Sequence, residues 1–157
     1  MILVLLGTQN NSFHRLLEEV QKNIDNGKIK EEVVVQSGYT KFNSKDMKIF
    51  KLIDKKKLSK LQDKADLIIT HGGVGSIISS LEKGKKVIVV PRLKKYNEHV
   101  NDHQVEIIES FNEKGYIIGL HDVSELGEAL DKVKNFIPQK YVKNTGKILK
   151  IVEDFIG

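Results

Sequence analysis

The run from Asp66 to Ser76 constrains the fold of this chain more than any other stretch. An apolar segment leads directly into three glycines within four positions, which predicts a strand, a tight turn and a helix. A helix that begins there presents unpaired backbone N–H groups and the positive end of its dipole, and both favour an anion. His71 and Ser76 add side-chain donors, so the turn suits a diphosphate. A βα turn whose glycines serve only packing is the alternative.

Short apolar segments alternate with amphipathic ones along the whole sequence. The apolar segments predict strands at Ile2–Leu6, Glu32–Gln36, Met47–Ile53, Leu67–Thr70, Lys86–Val90 and Tyr116–Gly119. Helical spacing predicts helices after the N-cap Ser12 as far as Ile24, and at Lys55–Lys64, Ser76–Lys83, His99–Lys114, Val123–Asn135 and Val142–Phe155. This alternation is typical of a parallel sheet covered by helices on both faces. We therefore expect a Rossmann-like, doubly wound α/β fold, built as a single domain by residues 1–157.

Composition narrows the function classes. The chain has no cysteine, which excludes disulfides and thiolate metal sites. Neither a leader peptide nor an apolar run of membrane-spanning length is evident, so we expect a cytoplasmic protein. The formal net charge of +5 lies partly in the lysines of 45–60 and 83–95. These lysines form either an ordinary solvated surface or a contact to a membrane or a phosphorylated substrate. Aromatic residues do not interleave with them, so no nucleic-acid partner is expected.

Polar residues follow several of the predicted strands at the points where the strands end. They lie at 7–10, at 37–38, at 71–76 and at 96–104. Because the carboxyl ends of parallel strands meet at one edge of a sheet, these loops converge, and ligands of such folds bind there. This agreement favours a binding site over a turn that serves only packing.

The segment 98–104 allows three interpretations. His99 and His103 are four residues apart, so on a helix they share a face and could bind a metal, but no third ligand is evident. The segment could also be a solvated first helical turn. The third interpretation is a rim of hydrogen-bonding groups, Asp102, His103 and Gln104, that faces a hydroxyl-rich ligand. Spacing alone identifies no catalytic triad or carboxylate pair.

Taken together, these motifs resemble the C-terminal domain of glycosyltransferase family 28. The resemblance rests on Gly7-Thr8, Val35–Gly38, His71–Ser76, Glu82–Gly84, Val87–Pro91 and Glu98–Gln104, and it covers nearly the whole chain. It is strongest to short, free-standing versions of that domain. These serve in the addition of the second GlcNAc to dolichol-diphosphate-GlcNAc, and in bacterial capsule and exopolysaccharide synthesis. The resemblance implies the donor-binding half of a GT-B glycosyltransferase.

The resemblance also implies a set of site residues. Those matching the donor diphosphate turn and the loop facing it are Thr8, His71, Gly72, Gly73, Gly75 and Ser76. Those assigned to the donor sugar or nucleotide are Ser79, Arg92, Glu98, Asp102, His103 and Gln104. Relatives often carry a glutamate for the ribose hydroxyls where this chain has Ser79. No metal and no cofactor are implied, and the catalytic base is left unknown.

The function implied is that of a donor-binding, catalytic subunit of a two-component inverting glycosyltransferase. It would move a hexose from a UDP-sugar to a polyprenyl-diphosphate-linked sugar in polysaccharide synthesis. A membrane-anchored, acceptor-binding partner subunit would supply the base and hold the chain at the inner membrane face. The isolated chain could self-associate through the same surface. The alternative is a non-catalytic nucleotide or nucleotide-sugar binding or regulatory module. UDP-GlcNAc 2-epimerases share the architecture, but they are longer, two-domain chains.

Overall fold

A computed structural model describes residues 1–142 of the chain. The strands are β1 (Ile2–Leu5), β2 (Val33–Gln36), β3 (Met47–Phe50), β4 (Leu67–His71), β5 (Lys86–Val90) and β6 (Ile118–Gly119). The α-helices are α1 (His14–Asp25), α2 (Lys55–Lys64), α3 (Val74–Glu82), α4 (His103–Glu113) and α5 (Leu126–Val133), with 3₁₀ turns at Lys94–Tyr96 and Val123–Glu125. The helix predicted at Val142–Phe155 lies outside the described residues, apart from Val142 itself.

All six strands pair in parallel, in the order β3-β2-β1-β4-β5-β6. The side chains of β1 alternate between two apolar clusters, because successive residues of a strand point to opposite faces. Ile2 and Val4 belong to the cluster beneath α1 and α5, whereas Leu3 and Leu5 belong to the cluster beneath α2, α3 and α4. The sheet is therefore covered on both faces, which confirms the doubly wound fold. None of the helices within residues 1–142 is long and apolar enough to span a membrane.

The starts of α1 and α3 differ slightly from the prediction. The predicted cap Ser12 does not begin α1. Phe13 holds the N-cap position, and its N–H donates to Oγ1 of Thr40 at 2.8 Å. The glycine turn is also shorter than expected, because α3 begins at Val74 rather than at Ser76. Gly75 and Ser76 therefore belong to the first turn of α3.

The largest difference lies between 97 and 102, where a helix from His99 was predicted. Asn97 adopts a left-handed conformation with φ 58°, and α4 begins only at His103. Asn101 Oδ1 accepts a bond from the His103 N–H, and Asp102 Oδ1 accepts one from the Lys94 N–H. These side-chain contacts satisfy loop amides that a helix would otherwise pair, so the helix is delayed. The last strand is also shorter, because only Ile118 and Gly119 pair with β5; Tyr116 and Ile117 are buried but precede the pairing.

Candidate functional site

The sheet order places the polar loops at a topological switch point. From β1 the chain crosses first to β2 on one side, and later to β4 on the other side. The loops that leave the carboxyl ends of β1 and β4 therefore separate there and open a crevice between them, which is where ligands bind in such sheets. Gly7 and Thr8 follow β1, and the glycine turn follows β4.

His71, the last residue of β4, lies at the bottom of this crevice. Its side chain is buried between two glycines. A Cβ at Gly7 would lie 2.5 Å from Nε2 of His71, and a Cβ at Gly73 would lie 2.4 Å from Cε1. Gly7 also has a φ of +75°, a conformation that favours glycine. These two glycines are therefore required so that the imidazole can fit beneath the turn.

Burial, together with the positive charge of Arg92 and the neighbouring His99, lowers the pKa of His71 to about 3. The ring is therefore neutral near pH 7, with one N–H and one lone pair. Gln104 orients it. Gln104 Oε1 accepts bonds from the N–H groups of Gly72 at 3.2 Å and Arg92 at 2.9 Å. This turns the amide NH₂ towards Nδ1 of His71, at 3.5 Å, and favours a proton on Nε2 of the ring.

The first turn of α3 is open to a ligand. Its N-cap, Gly73, provides no side-chain hydrogen bond, and the first intrahelical bond of the helix is that from Ile77 N–H to Gly73 O at 3.1 Å. A Cβ built on Gly75 meets nothing within 4 Å, and Gly75 is exposed. Unlike Gly73, then, Gly75 is not required by the fold around it. The half-buried Ser76 lies on the same turn, so backbone amides and one hydroxyl are available to an anion.

Two clefts adjoin this edge of the sheet. One, of about 450 Å³, is lined by Thr8 and its three following residues together with His99 and Val100. The other, of about 610 Å³, lies over the ends of β2 and β3, and its lining includes Ser37, Gly38 and Lys51. The first brings the predicted Thr8 next to the loop before α4. Of the residues that line the second cleft, only Ser37 and Gly38 were predicted to lie at this edge of the sheet.

Arg92 and Glu98 hold the loops in place. Arg92, 1% exposed, donates to the carbonyl oxygens of Leu6, Asn11 and Glu98, so it ties the loop after β1 to the loop after β5. Burial lowers its pKa to about 10, so it stays charged and contributes positive potential near His71. The Glu98 carboxylate receives two bonds from Arg15 at 2.7 and 3.0 Å. The direct donor contacts predicted for Arg92 and Glu98 are therefore not supported by their placement.

The remaining predicted residues differ in accessibility. Asp102 and His103 are exposed at the start of α4, beside the crevice. Ser79, in contrast, uses its hydroxyl within the fold, where it donates to Ser76 O and accepts from Nε2 of Gln62 on α2. Its role at a ribose stays a prediction. His99 lies in the loop and His103 on the helix, and residues 1–142 contain no group of three side chains that could hold a metal ion.

Gln36 belongs to the Val35–Gly38 motif, but no role at the site was predicted for it. This glutamine ends β2, and its Oε1 accepts from Gly7 N–H at 3.1 Å while its Nε2 donates to Gly7 O at 2.9 Å. It therefore fixes the loop that faces the glycine turn. The signal in the sequence was a polar residue that directly follows three valines in a buried strand, because such a residue needs hydrogen-bond partners nearby.

Comparison with known proteins agrees with this architecture. The model of the glycosyltransferase family 28 C-terminal domain matches residues 1–156. Similar proteins are named UDP-N-acetylglucosamine transferase subunit ALG13. The protein of Kluyveromyces lactis is 38% identical over 71 residues, which are 45% of this chain and 34% of that protein. That of Candida albicans is 31% identical over 98 residues, which are 62% of this chain and 32% of that protein. That of Homo sapiens is 42% identical over 55 residues, which are 34% of this chain and 4% of that protein. The chain thus spans about a third or less of the length of these three relatives.

Solved structures share the fold. A solution structure of ALG13 superposes with a TM-score of 0.63 at 20% identity, and the match covers 99% of this chain and 96% of that one. The calicheamicin glycosyltransferase CalG4 superposes with a TM-score of 0.61 at 14% identity, and the match covers 98% of this chain and 36% of that one. Acinetobacter baumannii MurG superposes with a TM-score of 0.55 at 19% identity, and the match covers 83% of this chain and 39% of that one. The described fold therefore corresponds to one Rossmann-like half of a GT-B glycosyltransferase.

Proposed function

The chain belongs to the glycosyltransferase family 28 C-terminal domains, and from this premise we propose that it is the donor-binding, catalytic subunit of a two-component inverting glycosyltransferase. The reaction moves a hexose from a UDP-sugar to a sugar linked to a polyprenyl diphosphate, in the synthesis of a polysaccharide. The names of the similar proteins make UDP-N-acetylglucosamine the first donor to test.

The observation that carries the proposal is the pairing of the open first turn of α3 with the neutral ring of His71. The helix start offers backbone amides and a positive dipole end, and Gly75 leaves room for close approach. His71 offers an N–H without a charge, and the buried Arg92 adds positive potential. Thr8 lies in the cleft on the other side of the crevice. Such a site suits the diphosphate of a nucleotide sugar.

The chemistry follows from this placement. A hydroxyl oxygen of the acceptor sugar attacks the anomeric carbon while the bond from that carbon to the UDP oxygen breaks. The charge that develops on the departing diphosphate is stabilised by the amides of α3, by Ser76 and by His71, so the reaction requires no metal ion. The hydroxyl proton passes to a general base, which we assign to the partner subunit. Asp102 and His103 lie exposed beside the crevice, where they can contact the donor sugar.

The second component is proposed to be a membrane-anchored subunit that binds the polyprenyl-diphosphate acceptor. Support comes from the similar proteins, each of which is named as a subunit of a transferase. The partner would hold this chain at the cytoplasmic face of the membrane and close over the donor, because positioning of two substrates contributes about 7–11 kcal/mol to rate acceleration. Without the partner, the chain could pair with itself through the same surface.

Two experiments test the proposal. Calorimetry with UDP in EDTA should show binding, and a strict requirement for magnesium or manganese would contradict the metal-free mechanism. Transfer from a radiolabelled UDP-sugar to a polyprenyl-diphosphate sugar should need membranes that contain the partner. Full turnover by the purified chain would overturn the two-component proposal. UDP binding that never leads to transfer with any partner would favour the alternative of a regulatory nucleotide-binding module.

A further inference from the structure

The net positive charge of the chain is concentrated in one short segment. Residues 41–64 contain nine lysines and three aspartates, with no arginine or glutamate, so their net charge is +6. The whole chain carries +5. All other residues together are therefore slightly negative. The nine lysines are all exposed; they are Lys41, Lys45, Lys48, Lys51, Lys55, Lys56, Lys57, Lys60 and Lys64. These lysines, together with Leu52, are called the lysine face below.

The lysine face follows the outer strand of the sheet and the helix after it. β3 is the last strand on its side of the sheet, and α2 follows it directly. Leu58 and Leu61 of α2 pack against the apolar core, so the lysines at 56, 60 and 64 form one row on another side of the helix. Lys57 connects the two parts, because its Nζ lies 4.2 Å from the ring centroid of Phe50 in β3.

Within residues 1–142, few of these charges are neutralised by an ion pair. Among the described residues, Lys48 alone of the nine forms an ion pair, with Glu32 at 3.3 Å. None of the three aspartates of the segment forms an ion pair with these nine lysines within residues 1–142. Asp54 accepts from the Lys57 N–H and caps α2, Asp46 accepts from Gln21, and Asp63 pairs with Lys83 at 2.7 Å. The lysine face is therefore a broad cationic surface that can attract an extended anionic one.

An aliphatic side chain projects from this surface. Leu52 is 64% exposed and follows Lys51 at the carboxyl end of β3, the same edge of the sheet that bears the glycine turn. The ammonium groups of Lys51 and Lys57 lie over the neighbouring rings of Tyr39 and Phe50, and Tyr39 is itself exposed. An exposed leucine among lysines suits the boundary between lipid head groups and acyl chains. Nucleic acid would instead favour arginine, which residues 41–64 lack.

We propose that the lysine face binds the anionic surface of a phospholipid bilayer directly, with Leu52 inserted at the head-group boundary. The partner subunit then need not be the only attachment of this chain to the membrane. Binding through β3 and α2 brings the carboxyl edge of the sheet close to the bilayer, where a lipid-linked acceptor resides. The lipid contact itself depends on neither donor binding nor the partner, so it can fail or hold independently of the proposed glycosyl transfer.

The expected loss of membrane binding follows from the number of positive charges removed. A lysine near an anionic membrane surface contributes about fivefold to partitioning, so removal of three should reduce it about a hundredfold. The test is co-sedimentation of the purified chain with vesicles of phosphatidylcholine alone or of an equal mixture with phosphatidylglycerol. We expect binding to the mixed vesicles, no binding to the neutral ones, and loss of binding at high salt.

Three variants locate the contact. The triple variant K56Q/K60Q/K64Q should lose nearly all binding to the mixed vesicles, and Leu52→Ser should lose binding severalfold. The matched control K22Q/K114Q/K132Q removes the same charge from exposed lysines on α1, after α4 and on α5, and should bind much as the parent does. Circular dichroism verifies that each variant is folded.

Each contrary outcome overturns the proposal. Equal losses in the two triple variants would show an effect of net charge rather than of this surface. Unchanged binding in K56Q/K60Q/K64Q, or no binding by the parent, would exclude the lysine face as a lipid contact. Tighter binding to a labelled RNA oligonucleotide than to the mixed vesicles would assign the surface to nucleic acid instead.

Discussion

Replacing Gln104 tests how the site is built. One oxygen of this side chain accepts from two buried N–H groups, those of Gly72 and Arg92, and the residue is 4% exposed. Gln104→Ala leaves both donors without a partner. Each such loss costs about 1–3 kcal/mol. The variant should therefore be less stable by about 2–6 kcal/mol, a large part of the roughly 5–15 kcal/mol typical of a domain.

The comparison with Gln104→Glu separates two roles of the same side chain. Glutamate keeps the accepting oxygen but lacks the NH₂ group that faces Nδ1 of His71. We expect this variant to retain more stability than Gln104→Ala, while the nearby carboxylate raises the pKa of His71 and weakens the binding of UDP.

The assays are urea unfolding followed by far-ultraviolet circular dichroism, since the chain has no tryptophan, and calorimetry with UDP and with a UDP-sugar. If Gln104→Ala unfolds within about 0.5 kcal/mol of the parent, a difference typical of an inconsequential surface change, the shared acceptor does not hold these loops. Equal losses for UDP and UDP-sugar would support a positioning role. A loss confined to the UDP-sugar would restore the direct sugar contact implied by the family resemblance.

Three further changes follow from the site geometry. Gly75→Ala should fold normally, because its Cβ meets no protein atom, but the added methyl group should weaken the binding of UDP to the turn. Gly73→Ala should unfold at a lower urea concentration, because its Cβ would lie 2.4 Å from His71. Equal unfolding midpoints for the two variants would contradict this contrast. His71→Ala and Ser76→Ala, in variants that remain folded, should each weaken UDP binding roughly 10- to 100-fold by calorimetry, the cost of one charge-directed hydrogen bond. His71 has a pKa of about 3 in the folded chain and an ordinary value of 6.5, so between these pH values only the unfolded chain takes up a proton on this ring. The free energy of unfolding should therefore fall as the pH is lowered from 6.5, by up to about 1.4 kcal/mol per pH unit. Urea titrations at several pH values should show a smaller slope in His71→Gln, and an identical slope would refute the neutral buried imidazole.

Local sequence patterns predicted the parts of the fold that local forces determine. The predicted Lys55–Lys64 and Lys86–Val90 agree with α2 and β5 at both ends. For α2, Asp54 caps the first turn and Leu58 and Leu61 mark the buried side. For β5, four buried apolar residues are followed at once by a proline, which cannot continue the ladder.

The start of α4 could not be predicted in the same way, because distant residues act on it together with the local contacts of Asn101 and Asp102. The loop before it is held by Arg15, which lies 83 residues from Glu98 in the sequence, and by Arg92, which reaches the carbonyl oxygen of Leu6. Asn101 and His99 have no strong local preference that would forbid a helix. Only the three-dimensional arrangement brings these partners together, so local periodicity extends the helix too far towards the N-terminus.

The same distinction applies to the candidate site, because a polar residue at a ligand-binding edge has two possible uses. It can contact the ligand, or it can hold the loops that do, and both uses place similar residue types in similar positions. Burial combined with hydrogen bonds to loop backbone distinguishes them. Arg92, Glu98 and Gln104 are nearly inaccessible and bond to the backbone of neighbouring loops, whereas Thr8 and His103 are exposed at the crevice. Substitution of a buried member should therefore lower stability and donor affinity together. Substitution of an exposed member should lower donor affinity alone, and that contrast allows binding and positioning to be assigned residue by residue.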